Sequence, residues 1–254
     1  MKDKFKIGRT LVSITCIEDT IEKIKYSIKN KLNTYICVAN FNATAYAHFN
    51  KEYRDVVNNA YLNTPDGMPL VWASRLWGLK QVKRTSGPDF FIRILKENNG
   101  IKHYLLGDTD EVLINLNNIC KNSFHANIVG TYSPPFMALS EYDYKTIAEL
   151  INVSCADIVW IALGAPKQDF FSKNLTQYLD SKVLIGVGAA FRFVLDEYTY
   201  PPAIFQKLGL TGFFWRFRSQ RVKKLWWYIK HLIILLVLFL QIIGKRVIGA
   251  KYYE

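Results

Sequence analysis

The sequence predicts an α/β fold, a Rossmann-like and mostly parallel sheet with helices on both faces, followed by a basic and apolar helical appendage. Three observations carry this expectation. Short apolar runs alternate with helix-length stretches over residues 1–197, the spacing of strand–helix–strand units with right-handed crossovers. Several runs are almost continuously apolar, as strands covered on both faces must be. The charge pattern then changes, because residues 198–253 hold ten Lys or Arg and no Asp or Glu.

Taken in order, strands are expected at Leu11–Ile14, Tyr35–Ala39, His103–Leu106, Asn127–Val129, Asp157–Leu163 and Val183–Val187. Between them the pattern predicts helices over Asp19–Lys31, Ala43–Asn59, Gly67–Trp77, Pro88–Asn98, Asp110–Asn122, Glu141–Val153 and Lys167–Leu179. The Asn-rich stretch at residues 97–100 offers a soft subdomain boundary. Residues 1–197 therefore read as one α/β core, and residues 198–254 as the appendage.

Half of the 254 residues are apolar and 15% are aromatic, enough to bury a sizeable core without disulfides. Cys16, Cys37, Cys120 and Cys155 form no Cys-x-x-Cys pair, so reduced thiols in a cytosolic protein are expected. With four His in the chain, no metal site is expected, and no cofactor. Met1–Thr10 is basic but leads into no apolar segment of signal-peptide kind.

The net charge of +12 is concentrated at one end. Residues 198–254 carry +9 once Glu254 is counted, leaving +3 for the rest. A single-signed tail reads as a surface for anions such as phospholipid headgroups or a pyrophosphate. Its apolar content runs from Leu225-Trp226-Trp227-Tyr228-Ile229 through Leu232–Leu240, interrupted by Lys230 and His231. The clean run is about half of the roughly 20 residues a spanning helix needs. An in-plane helix on an anionic membrane, with Trp and Tyr at headgroup depth, fits this pattern better. A helix buried against the protein, a homo-oligomer contact and a spanning helix are the other readings of such a segment. Nucleic-acid binding is not expected, because aromatics are not interleaved with the positive charges.

Ligands of open parallel sheets bind beyond the carboxyl ends of the strands. The residues there are Asn40, Gly107-Asp108, Gly130–Pro135, Gly164–Gln168 and Gly188. Gly permits close backbone approach, and the helices that follow offer their N-termini to phosphate. The sharpest local signal is Asn63-Thr64-Pro65-Asp66-Gly67-Met68-Pro69. From spacing alone, Asp66 reads first as the N-cap of the next helix. Gly164-Ala165-Pro166-Lys167-Gln168-Asp169 opens another helix, with Gln168 able to bond a sugar or phosphate oxygen. Asp108-Thr109-Asp110 has the form of a metal-binding Asp-x-Asp, but after a strand it reads as helix capping.

These segments resemble the bacterial N-acetylmannosaminyltransferases of the teichoic-acid and enterobacterial-antigen type. The match runs in order through Val38-Ala39-Asn40, Pro65-Asp66-Gly67, Gly87-Pro88-Asp89, Leu105-Leu106-Gly107, Gly130-Thr131-Tyr132 and Gly164–Gln168. It continues through Gly186–Phe191 and Phe205–Leu210. The resemblance implies inverting, metal-independent transfer from a UDP-sugar to a polyprenyl-diphosphate-linked sugar in surface-polysaccharide synthesis. It places that reaction at the cytoplasmic face of the plasma membrane. It implies Asp66 as catalytic base, and Asn40, Gly67, Asp89, Gly107, Gly164, Lys167, Gln168 and Gly188 around the substrates. Arg216 and Arg221 of the tail would stabilise the departing UDP.

The sequence departs from the family pattern at Val38, where Thr is frequent, and at Arg192, where Asp usually follows the Phe. It departs again at Tyr200-Pro201-Pro202 and at Gly209-Leu210-Thr211-Gly212. Arg192 would suit a carboxylate-bearing sugar or a diphosphate. A sugar-nucleotide-binding or scaffolding protein without transferase activity is the alternative.

Overall fold

The computed structural model describes residues 3–97, 100–198, 200–202, 204–205, 214, 232–237 and 239–241. The chain opens with an antiparallel hairpin of β1 (Lys4–Ile7) and β2 (Thr10–Ser13) that stands apart from the main sheet. The strand expected at Leu11–Ile14 thus exists, but not as a parallel strand. Side-chain amides dock the hairpin. Asn58 accepts from the Leu11 amide at 2.8 Å, and Asn63 donates to the Leu11 carbonyl at 2.8 Å.

After α1 (Ile17–Lys29) the core alternates strand and helix. Its elements are β3 (Thr34–Ala39), α2 (Phe41–Phe49), α3 (Lys51–Asn59), β4 (Leu62–Pro65), α4 (Met68–Leu76), α5 (Gly87–Lys96), β5 (Lys102–Gly107) and α6 (Asp110–Ser123). There follow β6 (Asn127–Tyr132), α7 (Tyr144–Val153), β7 (Ile158–Ala162), α8 (Lys167–Thr176), β8 (Val183–Gly186) and α9 (Ala190–Val194). The six later strands form one sheet in the order β4-β3-β8-β7-β5-β6, every neighbouring pair parallel. This is the fold class the alternation predicted.

Two elements differ from expectation for local reasons. The single helix read over Ala43–Asn59 is two, because Asn50 adopts φ −113°, ψ 111° and caps α3 by accepting from the Tyr53 amide at 2.8 Å. β4 was not legible as a strand: Leu-Asn-Thr-Pro has no apolar alternation, and it ends in Pro. It lies at the edge of the sheet, where Pro costs no ladder bond on its outer side.

α1, α5, α6 and α9 cover one face of the sheet, and α7 and α8 cover the other. Trp160 of β7 is fully buried beneath Phe90 and Phe91, with ring centroids 5.9 and 4.8 Å away. Its indole N–H donates to His103 Nδ1 at 3.2 Å, and burial pulls the His103 pKa down to about 4. That histidine is a neutral core acceptor.

Beyond the core, residues 232–237 and 239–241 are helical. Ile234 is fully buried in a cluster with Phe5, Leu70 and Trp77, and Gln241 accepts from the Gly8 amide at 3.0 Å. Leu232, Leu235, Leu236, Phe239 and Leu240 are exposed. Among the described residues, no helix is long and apolar enough to cross a membrane.

Candidate active site

Parallel pairing brings the ends of β4, β3 and β8 side by side. Ala39 pairs with Pro65 in register, and the Asp66 amide donates to the Ala39 carbonyl at 2.8 Å. Asp66 and Asn40 therefore leave adjacent strands at the same level. β8 lies on the other side of β3, about two strand spacings, or roughly 10 Å, from β4. Gly188 follows it with φ 55°.

Asp66 does not cap α4. The N-cap is Gly67, with no side-chain bond, which frees the carboxylate for other work. The edge position of β4 explains the neighbour that the carboxylate acquires. Thr85 donates its amide to the Pro65 carbonyl at 2.7 Å, so residues 84–86 run along the outer side of β4. Arg84 Nε donates to the Asp66 carbonyl oxygen at 3.0 Å. Its guanidinium stands 3.7 Å from the Asp66 carboxylate and 3.8 Å from that of Asp89. Sequence reading missed Arg84, because it ends an ordinary basic stretch, Lys80 to Arg84, with no motif of its own.

The Asp66 side chain keeps 25% of its surface exposed, yet desolvation dominates its ionisation. Burial pushes its pKa up to about 6, against the lowering by Arg84 and with a further push from Asp89. A carboxylate so placed is a stronger base than an exposed Asp and is still mostly ionised at neutral pH. Asp89 itself bonds the Ser86 hydroxyl at the start of α5 and receives the Tyr200 hydroxyl at 3.4 Å. This gathers Asp66, Arg84, Asp89 and Tyr200 into one polar group.

Asn40 caps α2, its Oδ1 accepting from the Ala43 amide at 2.9 Å. That bond fixes the side chain and leaves the Nδ2 hydrogens to face a ligand. Gln168, in the first turn of α8, is 4% exposed. Its amide lies over the end of β8, where a Cβ on Gly186 would come within 2.9 Å of it. Gln168 Oε1 is buried without a hydrogen-bond partner. Behind it, Asp169 accepts from the Tyr53 hydroxyl at 2.7 Å. Its pKa rises to about 6 through burial. The Tyr53 bond, unforeseen from sequence, ties α3 to the helix that carries Gln168.

Several expected site residues have structural partners. Gly107 ends β5 where a Cβ would meet the Ala162 backbone at 2.7 Å, so its Gly serves strand packing. Gly130 lies within β6 against the Tyr104 ring, and is not a residue after the strand as expected. By contrast Gly164, at φ 75°, has open space around it. Lys167 donates to the Met137 carbonyl at 2.7 Å and stands over the Phe136 and Tyr142 rings. In the Asp-x-Asp segment, Thr109 caps α6 as expected, accepting from the Val112 amide at 3.3 Å. Asp108 instead takes two bonds from Arg192, at 2.9 and 2.6 Å, and Arg192 also reaches Glu197 at 2.7 Å. The charge of Arg192 is thereby matched by two carboxylates. Among the described residues, no group of His, Cys, Asp and Glu converges as a metal site. Arg216 and Arg221 lie outside the described residues.

The cluster places a carboxylate, two amide side chains and open glycine backbone along the ends of four adjacent strands, β4, β3, β8 and β7. A model of the glycosyl transferase WecG/TagA/CpsF family matches residues 5–248, spanning the hairpin, the sheet and every residue of this cluster.

Proposed function

Because the chain belongs to the WecG/TagA/CpsF family of glycosyltransferases, we propose that it moves a hexosyl or N-acetylhexosaminyl group from a UDP-sugar to a polyprenyl-diphosphate-linked saccharide. The transfer inverts the anomeric centre, uses no metal ion and takes place at the cytoplasmic face of the bacterial plasma membrane. The observation that carries this reading is the Asp66 carboxylate, released from capping and raised to about 6 beside Arg84.

In this reading Asp66 accepts the proton of the acceptor hydroxyl as that oxygen attacks the anomeric carbon. The bond from that carbon to the diphosphate oxygen breaks, and UDP leaves with the electron pair. Base and hydroxyl need to meet at roughly 2.6–3.2 Å, and the exposed part of Asp66 permits that approach. Arg84 holds the Asp66 backbone and balances its charge together with Asp89. Asn40 presents Nδ2 as a donor to the sugar. The unpartnered Gln168 Oε1 requires a donor, which a sugar hydroxyl or acetamido N–H supplies and an ionised diphosphate does not. Gln168 therefore reads the sugar. Charge developing on UDP meets the first turn of α8 and the backbone at Gly164 and Gly188. Arg216 and Arg221 would complete that set from the appendage, whose basic tail holds the enzyme at the anionic membrane.

The test is UDP release from a panel of UDP-sugars with a short-chain lipid diphosphate-sugar acceptor, with and without chelator, beside Asp66→Asn. Acceptor-dependent release that survives chelator and disappears in the variant is the expected result. Donor binding with no release from any donor would replace the transferase reading with a binding protein.

A further inference from the structure

One buried carboxyl takes no part in the chemistry at Asp66. Asp169 lies in the first turn of α8, where an exposed acid would be an ordinary partner for the helix dipole. This one is 3% exposed, and burial raises its pKa to about 6. Its Oδ2 accepts from the Tyr53 hydroxyl at 2.7 Å, across 116 residues of sequence. Its Oδ1 is buried with no hydrogen-bond partner among the described residues. An apolar side chain would fill such a place at less cost. What a leucine could not supply is a bond of set length and direction to Tyr53.

Tyr53 is itself fixed. It is buried, and its amide donates to the Asn50 cap at 2.8 Å. Its ring packs on Tyr46 of α2 and on Phe170 of α8, with centroids 5.1 and 5.6 Å away. Ala43, whose amide holds Asn40, packs on the same cluster. One side chain therefore touches both helices whose starts carry the amides of the site, Asn40 and Gln168. The strands that lead into them, β3 and β7, are separated by β8 alone, about 10 Å. The start of α8 needs such a brace, because its N-cap, Pro166, makes no side-chain cap. Gln168 also has little room, since a Cβ on Gly186 would come within 2.9 Å of its Nε2. A first turn that sank would drive the amide into β8.

We propose that Tyr53 and Asp169 are positioning residues for sugar recognition. Their bond sets the first turn of α8 against α3, and so fixes where Gln168 meets the donor sugar across β8 from Asn40. This rests on the reading of Gln168 as the residue that reads the sugar. Neither Tyr53 nor Asp169 touches substrate, and both act through Gln168. The Lys167 bond to the Met137 carbonyl holds the same turn on the side toward β6, so the two contacts together leave the turn one seat.

The experiment is steady-state kinetics with the UDP-sugar that the unaltered full chain turns over fastest, beside calorimetric binding of UDP. Tyr53→Phe keeps the ring and loses the bond. Its donor KM should rise about 3- to 10-fold with kcat held, and its UDP affinity should stay, because UDP carries no sugar. Asp169→Asn keeps an acceptor for the Tyr53 hydroxyl and should keep the KM of the unaltered chain. Tyr53→Phe combined with Asp169→Leu leaves neither partner unpaired, so its melting temperature should recover while the KM stays high. A pair with a structural role only would recover both, which overturns the proposal. In a Gln168→Ala background, Tyr53→Phe should add nothing to the KM. An additive effect there, or an unchanged KM in folded Tyr53→Phe, overturns the positioning role and leaves the transferase reading standing. Should Tyr53→Phe alone fail to fold, the apolar double variant carries the same comparison. An unaltered chain that turns over no UDP-sugar overturns both readings.

Discussion

Burial holds the Asp66 carboxyl near 6, with Arg84 lowering it and Asp89 raising it, so its ionisation falls inside the range where activity is measured. Activity should rise with pH along a limb near 6 and level off above it, as a base requires. Arg84→Gln removes the lowering influence and should move that limb upward in a pH–rate profile, as well as reducing kcat. The same shift has a cost in stability. Folding raises the pKa from an unfolded value near 4, so the native state holds the proton more tightly between about pH 4 and 6. Stability is lost as pH rises through that window. A shift of about two units corresponds to roughly 1–3 kcal/mol after partial solvation. Asp66→Asn should therefore unfold later than the unaltered chain at pH 8, and the advantage should vanish below pH 4. Its transfer rate should drop by about 10²- to 10⁴-fold. Urea unfolding at the two pH values checks the first expectation, and UDP release checks the second.

Helix starts carry much of the site, and at this scale a structural role and a binding role can be separated. Asn40 caps α2 through Oδ1; Ser caps about as well, whereas Ala costs about 1 kcal/mol. Asn40→Ser should keep its melting temperature within a few degrees and still lose at least tenfold in activity, because Nδ2 is gone. Retained activity in a stable Asn40→Ser would reduce Asn40 to a cap. The strand ends were legible in the sequence wherever apolar runs stop at Asn or Gly, which is how Asn40, Gly164, Gln168 and Gly188 were found. From spacing alone Asp66 was legible only as a helix cap, since β4 has no strand pattern and earns its place by pairing with β3. Arg84 and Asp169 were illegible for another reason. Arg84 is positioned by the edge bond from Thr85 to Pro65, and Asp169 by Tyr53, contacts 20 and 116 residues apart in sequence. No local pattern encodes such partners.

For the whole molecule, the question is how a core whose charge is nearly balanced would meet the lipid-linked acceptor proposed above. The described part of the appendage is sided. Ile234 is sunk among Phe5, Leu70 and Trp77, and Gln241 is bonded to Gly8. Leu232, Leu235, Leu236, Phe239 and Leu240 point outward. The inner face binds the helix to the hairpin and to α4, the helix that begins two residues after Asp66. The outer face is an apolar surface within a chain segment of net charge +9, a combination suited to anionic lipid. Changes on the two faces should separate. Leu236→Glu with Leu240→Glu alters exposed positions, so the melting temperature should stay within a few degrees. Sedimentation with vesicles rich in anionic lipid should fall at least tenfold, and binding by the unaltered chain should weaken as salt is raised. Ile234→Asp buries an unpaired charge and should lower the melting temperature by several degrees. If the double Glu variant sediments with vesicles as the unaltered chain does but changes its oligomeric state, the outer face joins subunits and the membrane contact lies elsewhere.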